Sequence, residues 1–545
     1  MLHSLRFDWK EHAIELKKIG FLTAIFFGFM LVFSLHRYYI FYATYDHGLF
    51  NQVFWNNLHG HFFQSSLTGG NSAATILKGT TPPVSFLHLG QHFVLDFLLW
   101  LPIYALFPSP ITLIVLQVGL ITAAGLVLYA LARHYLQPDL ARMITASYYG
   151  AGAVIGPTFA DFYEQCQIPL LTFGLLLAME KQRWWIFWVL ALLVLGIRED
   201  AGFITFSIGL YLLASRRHPR VGLILCLLSF AYITVVTNLI MPRFSADNSQ
   251  LYLANRFKQF VQNSPDPSTL EVLWGMLTHP RQLLISLLTP FDRRFFYLMG
   301  HWLPLAFVPA VAPAAWLAAG VPILSILVQT GTIPFVLSVR YALSIVPGLF
   351  YGTILWWSMH DRQFPRYRRF WIVCIVLSIV ISIAYNPSRT FSFLIPDSFR
   401  PWVHIPLTRQ WEHASHLWPL TQQIPPDASV STTTGTIPPL SGRRKILRLP
   451  QIELLNDQGQ VEEMEYLLAD LWLALQYQVA FKLDLARLQQ AVSLIDRLLE
   501  KSTYGILNLQ DGVVLMQKGA PSNPKAMAVW VQFRQELAPT VALQN

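Results

Sequence analysis

The sequence predicts an all-α polytopic membrane domain of about eleven transmembrane helices followed by a small soluble α/β domain. Three observations predict it. Hydrophobic residues make up 54% of the 545-residue chain and charged residues only 13%, a balance outside that of ordinary soluble enzymes. Apolar runs of helical length recur as far as residue 385 and then stop. Basic residues collect in every second short connection between those runs, as cytoplasmic loops require. That placement accounts for the formal charge of +9, so nucleic-acid binding is set aside. Cys166, Cys226 and Cys374 show no metal-ligand spacing and imply no disulfide framework.

The first run, at 19–35, follows Arg6, Lys10, Lys17 and Lys18 and lacks a small-x-small cleavage site after it. It reads as an uncleaved signal anchor. Further runs lie near 111–132, 143–157, 168–179, 184–197, 201–215, 221–241, 295–312, 314–330, 341–358 and 370–385. The N-terminus and the connections "ARHYLQPDLAR" (132–142), "EKQR" (180–183), "SRRHPR" (215–220) and "HDRQFPRYRR" (360–369) carry the positive charge and are expected in the cytoplasm. Between them, "TFADFYEQCQ" (158–167) has no Lys or Arg and "REDAG" (198–202) has one, so both are expected on the external face. Counting "HFVLDFLLWLPIYALF" (92–107) as a span would reverse this pattern, and it carries Asp96 and Pro102. It is therefore expected to lie in the interface, or to re-enter the membrane, within a long first external loop at 37–110.

The membrane domain is thus 1–385, and 386–545 is a soluble extracytoplasmic domain. In the latter, "ASVSTT" and "RKILRLP" read as short strands and "DLARLQQAVSLIDRLLEKS" has helical spacing. "YGILNLQDGVVLMQKG" reads as a hairpin turning at Asp511-Gly512.

Polar groups beside a membrane are costly unless paired or functional, and here they gather on the external side. They are Asp46 and His47 just past the first span, His88 and His92 later in that loop, Asp161 and Glu164 in the second loop, Arg198, Glu199 and Asp200 in the third, and Arg340 with Tyr341 at the tenth span. A cavity lined by these groups could bind a phosphate-bearing lipid head group with an arginine fork and use a carboxylate to accept a hydroxyl proton. Each element has a structural alternative. Asp46 could cap a juxtamembrane helix; Asp161 and Glu164 could hold a divalent cation, Mg or Mn, or simply solvate a loop; Arg198 to Asp200 could pair locally; Arg340 could snorkel. His47, His59, His61, His88 and His92 match no strong metal motif, and the loop aromatics fit an interfacial belt.

The succession "YDHGLFNQVFW", "HLGQHF", "LPIYALFPSPITLIVLQ", "DFYEQCQIPLL", "REDAG", "RYALSIVPGLFY" and "YGILNLQDGVVLMQKG" resembles the bacterial membrane-protein family called domain of unknown function 2079, over about residues 40–520. That family is similar to the GT-C superfamily of glycosyltransferases, which use polyprenyl-phosphate-linked sugar donors on the external face. The resemblance implies a GT-C-like membrane domain in the bacterial plasma (inner) membrane, with the N-terminus cytoplasmic and the C-terminal domain extracytoplasmic. Its partners would be membrane lipids, a lipid-linked sugar donor and an acceptor whose identity is open. Asp46 stands where the superfamily keeps its first-loop acid, and Asp161 where a second acidic site would be. It follows that Asp46 would act as general base, that Arg340, Tyr341, His88 and His92 would bind the donor phosphate, and that Asp161, Glu164, Glu199 and Asp200 would form the second acidic site. Tyr163 departs from the family pattern, standing where a His commonly follows "DF"; Arg198 and Arg340 stand where Lys and His are common. Two other readings are a lipid-linked glycan transporter or flippase, which would show ionisable residues at mid-span, and a non-catalytic membrane scaffold.

Overall fold

The computed structural model describes residues 9–261, 268–385 and 388–541. Arg6, one of the basic residues ahead of the first run, lies outside the described residues. The chain is mostly helical, with the strands among the described residues lying in the C-terminal part, and it divides into two compact units. The first comprises Met1–Ser34, His92–Leu99 and Ile114–Ser388, and the second Leu35–Gln91, Trp100–Leu113 and Arg389–Asn545. Most of the first external loop therefore clusters with the C-terminal region rather than with the helices that flank it in sequence.

Each apolar run coincides with helix. Ile14–Tyr39, Pro110–Tyr135, Pro219–Ser245 and Arg340–Ala384 are long and apolar enough to cross a membrane, while Trp184–Ile197 and Pro313–Leu327 are apolar but shorter. Two runs are interrupted. That at 143–157 divides into Pro138–Tyr149 and Gly152–Phe159, and that at 295–312 into Phe291–Trp302 and Val308–Val311, where Ala306 and Phe307 turn left-handed. The segment at 92–107 contains the ten-residue helix Phe97–Leu106 with Pro102 inside it. At 1.5 Å per residue this helix spans about half the hydrocarbon thickness.

In the first unit, Leu223, Leu227 and Phe230 form an exposed apolar face on one helix, and Val373, Val376, Leu377 and Val380 on another. Contiguous apolar surface of this kind belongs against lipid rather than water. The inner faces pack with aromatic and polar contacts. Trp357 stacks on Trp371 at 5.2 Å, and the Trp371 indole donates to Ser147 Oγ at 2.8 Å and the Pro304 carbonyl at 2.9 Å. The basic connections are tied to one another: Arg217 donates to both oxygens of Glu180 at 2.8 Å, and the Tyr135 and Tyr351 hydroxyls donate to the same carboxylate.

The second unit is organised on a five-stranded sheet, with β1 at Val430–Thr432, β2 at Ile446–Arg448, β3 at Tyr466–Asp470, β4 at Tyr504–Gln510 and β5 at Val513–Lys518. The spatial order is β2-β1-β3-β5-β4. The first three are parallel, with Val430 opposite Ile446 and Tyr466, and β5 is antiparallel to both β3 and β4. The amphipathic helix Lys482–Glu500 buries Leu488, Ala491, Val492, Leu494, Ile495 and Leu498 in the same core as Leu467, Ile506 and Val514. The β4–β5 turn takes the expected place: Asp511 and Gly512 have φ of 47° and 73°, the left-handed pair of a type I′ turn.

The amides of the first loop stitch this unit together. Asn51 donates to Ser441 Oγ at 2.8 Å and accepts from the Tyr104 hydroxyl at 2.7 Å. Gln52 donates to Ser66 Oγ and the Arg444 carbonyl and accepts from Ser65 Oγ and Leu67 N. Both side chains are fully buried. The helix Tyr45–Leu58 lies so close to Ile437 that a methyl on Gly48 would collide with it.

One ion cluster fixes the hairpin end. His413, 2% exposed, places Nδ1 2.7 Å from Asp511 and Nε2 3.3 Å from Asp470, and its ring stacks on Trp472 at 4.1 Å. Arg409 adds a two-pronged contact to Asp511 and lies 4.5 Å over the Trp472 ring. Burial pulls the imidazole down, but Asp470 and Asp511 outweigh it and push His413 up to about 9, while His413 and Arg409 outweigh burial at Asp511 and hold it at about 2. A raised histidine stabilises the fold fully below its ordinary value of 6.5 and loses that contribution as pH rises through 9. The fold is therefore expected to lose roughly 3 kcal/mol between those limits. Hydrogen exchange at the β4–β5 amides, corrected for intrinsic rate, should show this loss in the full chain, and His413→Gln should flatten the profile.

Candidate functional site

Two connections of the first unit, a 3₁₀ turn at Glu164–Gln167 and another at Glu199–Ala201, bring polar groups together. Helices on either side hold their backbones, so the side chains turn inward on each other. Arg198, 1% exposed, is the hub: Nη1 reaches Glu164 Oε1 at 3.1 Å, and Nε reaches Glu199 Oε1 at 3.1 Å and Asp200 Oδ1 at 3.4 Å. Glu199 is also bound by His92 Nδ1 at 3.0 Å and by the Phe93 N–H at 3.0 Å. Burial would raise the Glu199 carboxyl, but Arg198 and His92 outweigh it and hold the acid below its ordinary range.

Beside this cluster the Arg340 guanidinium stacks over Tyr163 at 4.2 Å and Tyr341 at 5.1 Å, and Arg198 lies 5.9 Å from the same Tyr341 ring. A guanidinium that stacks through its face directs its N–H fork along its edge, the geometry suited to phosphate and carboxylate oxygens. Tyr163 serves here as the stacking platform. The neighbouring segment is pinned by Gln117, which donates to the Ala160 carbonyl and accepts from the Tyr163 N–H, each at 3.1 Å. Asp161 lies buried between those two contacts.

Of the residues singled out in the sequence, His92, Glu164, Glu199, Asp200, Arg340 and Tyr341 meet around Arg198 in the first unit. Asp46 and His88 belong to the second. Asp46 is not the N-cap of its helix: Thr44 takes that position, and Asp46 lies in the first turn, where a negative charge complements the helix dipole. His88 is buried, with Nδ1 3.0 Å from Thr68 Oγ1 and its ring edge-on to Phe50 at 5.7 Å.

A cation requires several oxygen ligands converging on one point. Glu164 instead directs one oxygen at Arg198, and among the described residues no group of three or more His, Cys, Asp and Glu side chains is placed to hold a metal ion. No chemical step is assigned to a cation at Asp161 and Glu164.

Gln165 was not singled out in the sequence. Its side chain is buried, and among the described residues neither amide atom has a hydrogen-bond partner. It lines a cavity of about 30 Å³ with Asp200, Tyr341, Gln329 and Ser344, roughly the volume of one water in the liquid. A glutamine next to Glu164 in a connection that lacks basic residues was the available signal.

Comparison with known proteins gives the class and then the family. Residues 37–515 match the family described as "Predicted membrane protein (DUF2079)". The chain belongs to that family of membrane proteins. No curated protein matches it. Among solved structures, a crystal structure of ArnT from Cupriavidus metallidurans bound to undecaprenyl phosphate matches at 10% identity, covering 92% of this chain and 99% of the other, with a TM-score of 0.46.

The Arg198 hub sets a stability expectation. Removing one partner from a buried ion cluster leaves charge without compensation and costs about 3–5 kcal/mol, whereas removing both partners costs far less. Arg198→Met should lower the melting temperature of the detergent-solubilised protein accordingly, and adding Glu164→Leu should restore part of the loss.

Proposed function

We propose that this protein is an integral membrane glycosyltransferase of the GT-C type, moving a sugar from a polyprenyl-phosphate-linked donor to an acceptor on the extracytoplasmic face. In this reading about eleven helices cross the bacterial inner membrane, the N-terminus is cytoplasmic, and the region 386–545 is extracytoplasmic. The observation that carries it is the convergence of His92, Glu164, Arg198, Glu199 and Asp200 beside the stacked Arg340–Tyr341 pair. All of these residues come from connections that the charge alternation assigns to one face.

The chemistry runs as a single displacement. A carboxylate accepts the proton of the acceptor hydroxyl as the acceptor oxygen bonds to the sugar C1, the role that the resemblance to the GT-C superfamily gives to Asp46. The C1–O bond to phosphate breaks, its electron pair leaves on the polyprenyl phosphate, and the configuration at C1 inverts. Arg340 receives the growing phosphate charge through its N–H edge, with Tyr341 beside it. Glu164, Glu199 and Asp200 act through Arg198 as positioning residues, and His92 orients Glu199. Asp161 stands in the same connection as Glu164, and His88 holds the fold of the first loop.

Asp46→Asn should lower sugar transfer in purified, folded protein by about 10²–10⁴ while leaving the binding of a short polyprenyl phosphate unchanged. Arg340→Gln should weaken that binding at least tenfold. Full transfer activity in Asp46→Asn overturns the role of the acid. Substrate flux across proteoliposomes without a glycosidic product would replace the transferase with a transporter.

A further inference from the structure

The second unit contains a cavity of about 280 Å³ at the carboxyl ends of β1, β2 and β3. In this sheet β1 lies between β2 and β3, so the chain leaving β1 crosses to one side and the chain leaving β3 to the other. Connections that diverge in this way open a crevice beyond the strand ends, the usual place for a ligand in an open parallel sheet. The crevice here is bounded by Thr433, Thr434 and Gly435 after β1, by Arg448 and Gln451 at the end of β2, and by Leu471 after β3. The helix Lys482–Glu500 closes it with Asp484 and Arg487.

The charges of this wall do not cancel within it. Asp470 is spent on His413, at 3.3 Å, and on the Leu473 N–H, at 3.1 Å. Asp484 is spent on Arg389, at 3.2 Å, and Arg389 in turn stacks on Tyr477 at 3.6 Å. The guanidinium of Arg448 stacks over Tyr45 at 4.4 Å, which leaves its edge for an acceptor. Arg487 is drawn below its ordinary range by burial and by the positive charge of Arg448, which with that of Arg389 outweighs the opposing charge of Asp484, a cost that an anion between the guanidiniums would relieve.

We propose that this crevice is a binding site for a phosphate monoester carried on a polar body about the size of one sugar ring, gripped by Arg448 and Arg487. Two arginines give forked donors for the phosphate oxygens, and the Thr434 hydroxyl with the Gln490 amide can meet ring hydroxyls. The proposal does not rest on the transferase reading, because it concerns residues of the second unit alone and is tested by binding. The crevice adjoins the Asp46 segment within that unit: Gly435 packs against the Phe41 carbonyl, and Arg448 covers Tyr45.

The test is calorimetric titration of the full chain in zwitterionic nanodiscs with inorganic phosphate and with glucose 1-phosphate. Both should bind saturably, the sugar phosphate more tightly, and glucose alone should not bind. Arg448→Gln and Arg487→Gln should each weaken binding at least tenfold, and Asp484→Asn should strengthen it, with thermal unfolding confirming that each variant is folded. The opposite response to Asp484→Asn separates a charge effect from simple damage. Repeating the titration in nanodiscs of anionic lipid distinguishes the source: competition assigns the site to a lipid head group, and unchanged affinity to a soluble ligand. Absence of saturable binding by folded wild-type protein, or affinity unaltered in both arginine variants, overturns the proposal.

Discussion

A guanidinium with almost no exposed surface stays charged only if carboxylates replace the water it has lost. Arg198 meets that condition with Glu164 on one connection and Glu199 and Asp200 on its own. Because the compensation comes from two connections, neither can be displaced without leaving a charge stranded, and His92 extends the same constraint to a third segment through Glu199. The polar edge of the first unit is thus held by charge rather than by packing. That suits a place where apolar helices end and few apolar contacts are available to order loops. Rigidity of this kind is what a site needs if Arg340 and Tyr341 are to present fixed groups to a phosphate.

The cluster also shows why two arginines a short distance apart do different work. Arg198 spends Nε and Nη1 on carboxylates and behaves as a keystone. Arg340 is instead held by stacking over Tyr163 and Tyr341, a contact that the planar guanidinium makes through its face.

Much of the fold was legible because it depends on local pattern. The apolar runs, the amphipathic spacing of Lys482–Glu500 and the Asp511-Gly512 turn each encode their own geometry within a few residues. Glu180 and Arg217, from two of the basic connections, meet in one ion pair. The amides at Asn51 and Gln52 were opaque: each has a partner some 390 residues away, and nothing local distinguishes a buried stitch from an interfacial polar residue. The candidate site was legible in part for the same reason. Local pairing of Arg198 with Glu199 and Asp200 follows from adjacency, whereas its bond to Glu164 and the contact of Glu199 with His92, 107 residues apart, follow only from the fold. The strands β1 and β2, three residues each, reveal a crevice only once their parallel order is known.

Asp511 sits at a point where two unrelated demands coincide. It must adopt a left-handed backbone, and it must carry the charge that Arg409 and His413 grip. Asparagine satisfies the first demand and fails the second; glutamate keeps the charge but is poorly suited to the turn. The position has almost no neutral neighbours in sequence space, and changes at 409, 413 and 511 are expected to travel together in related chains rather than to drift one at a time.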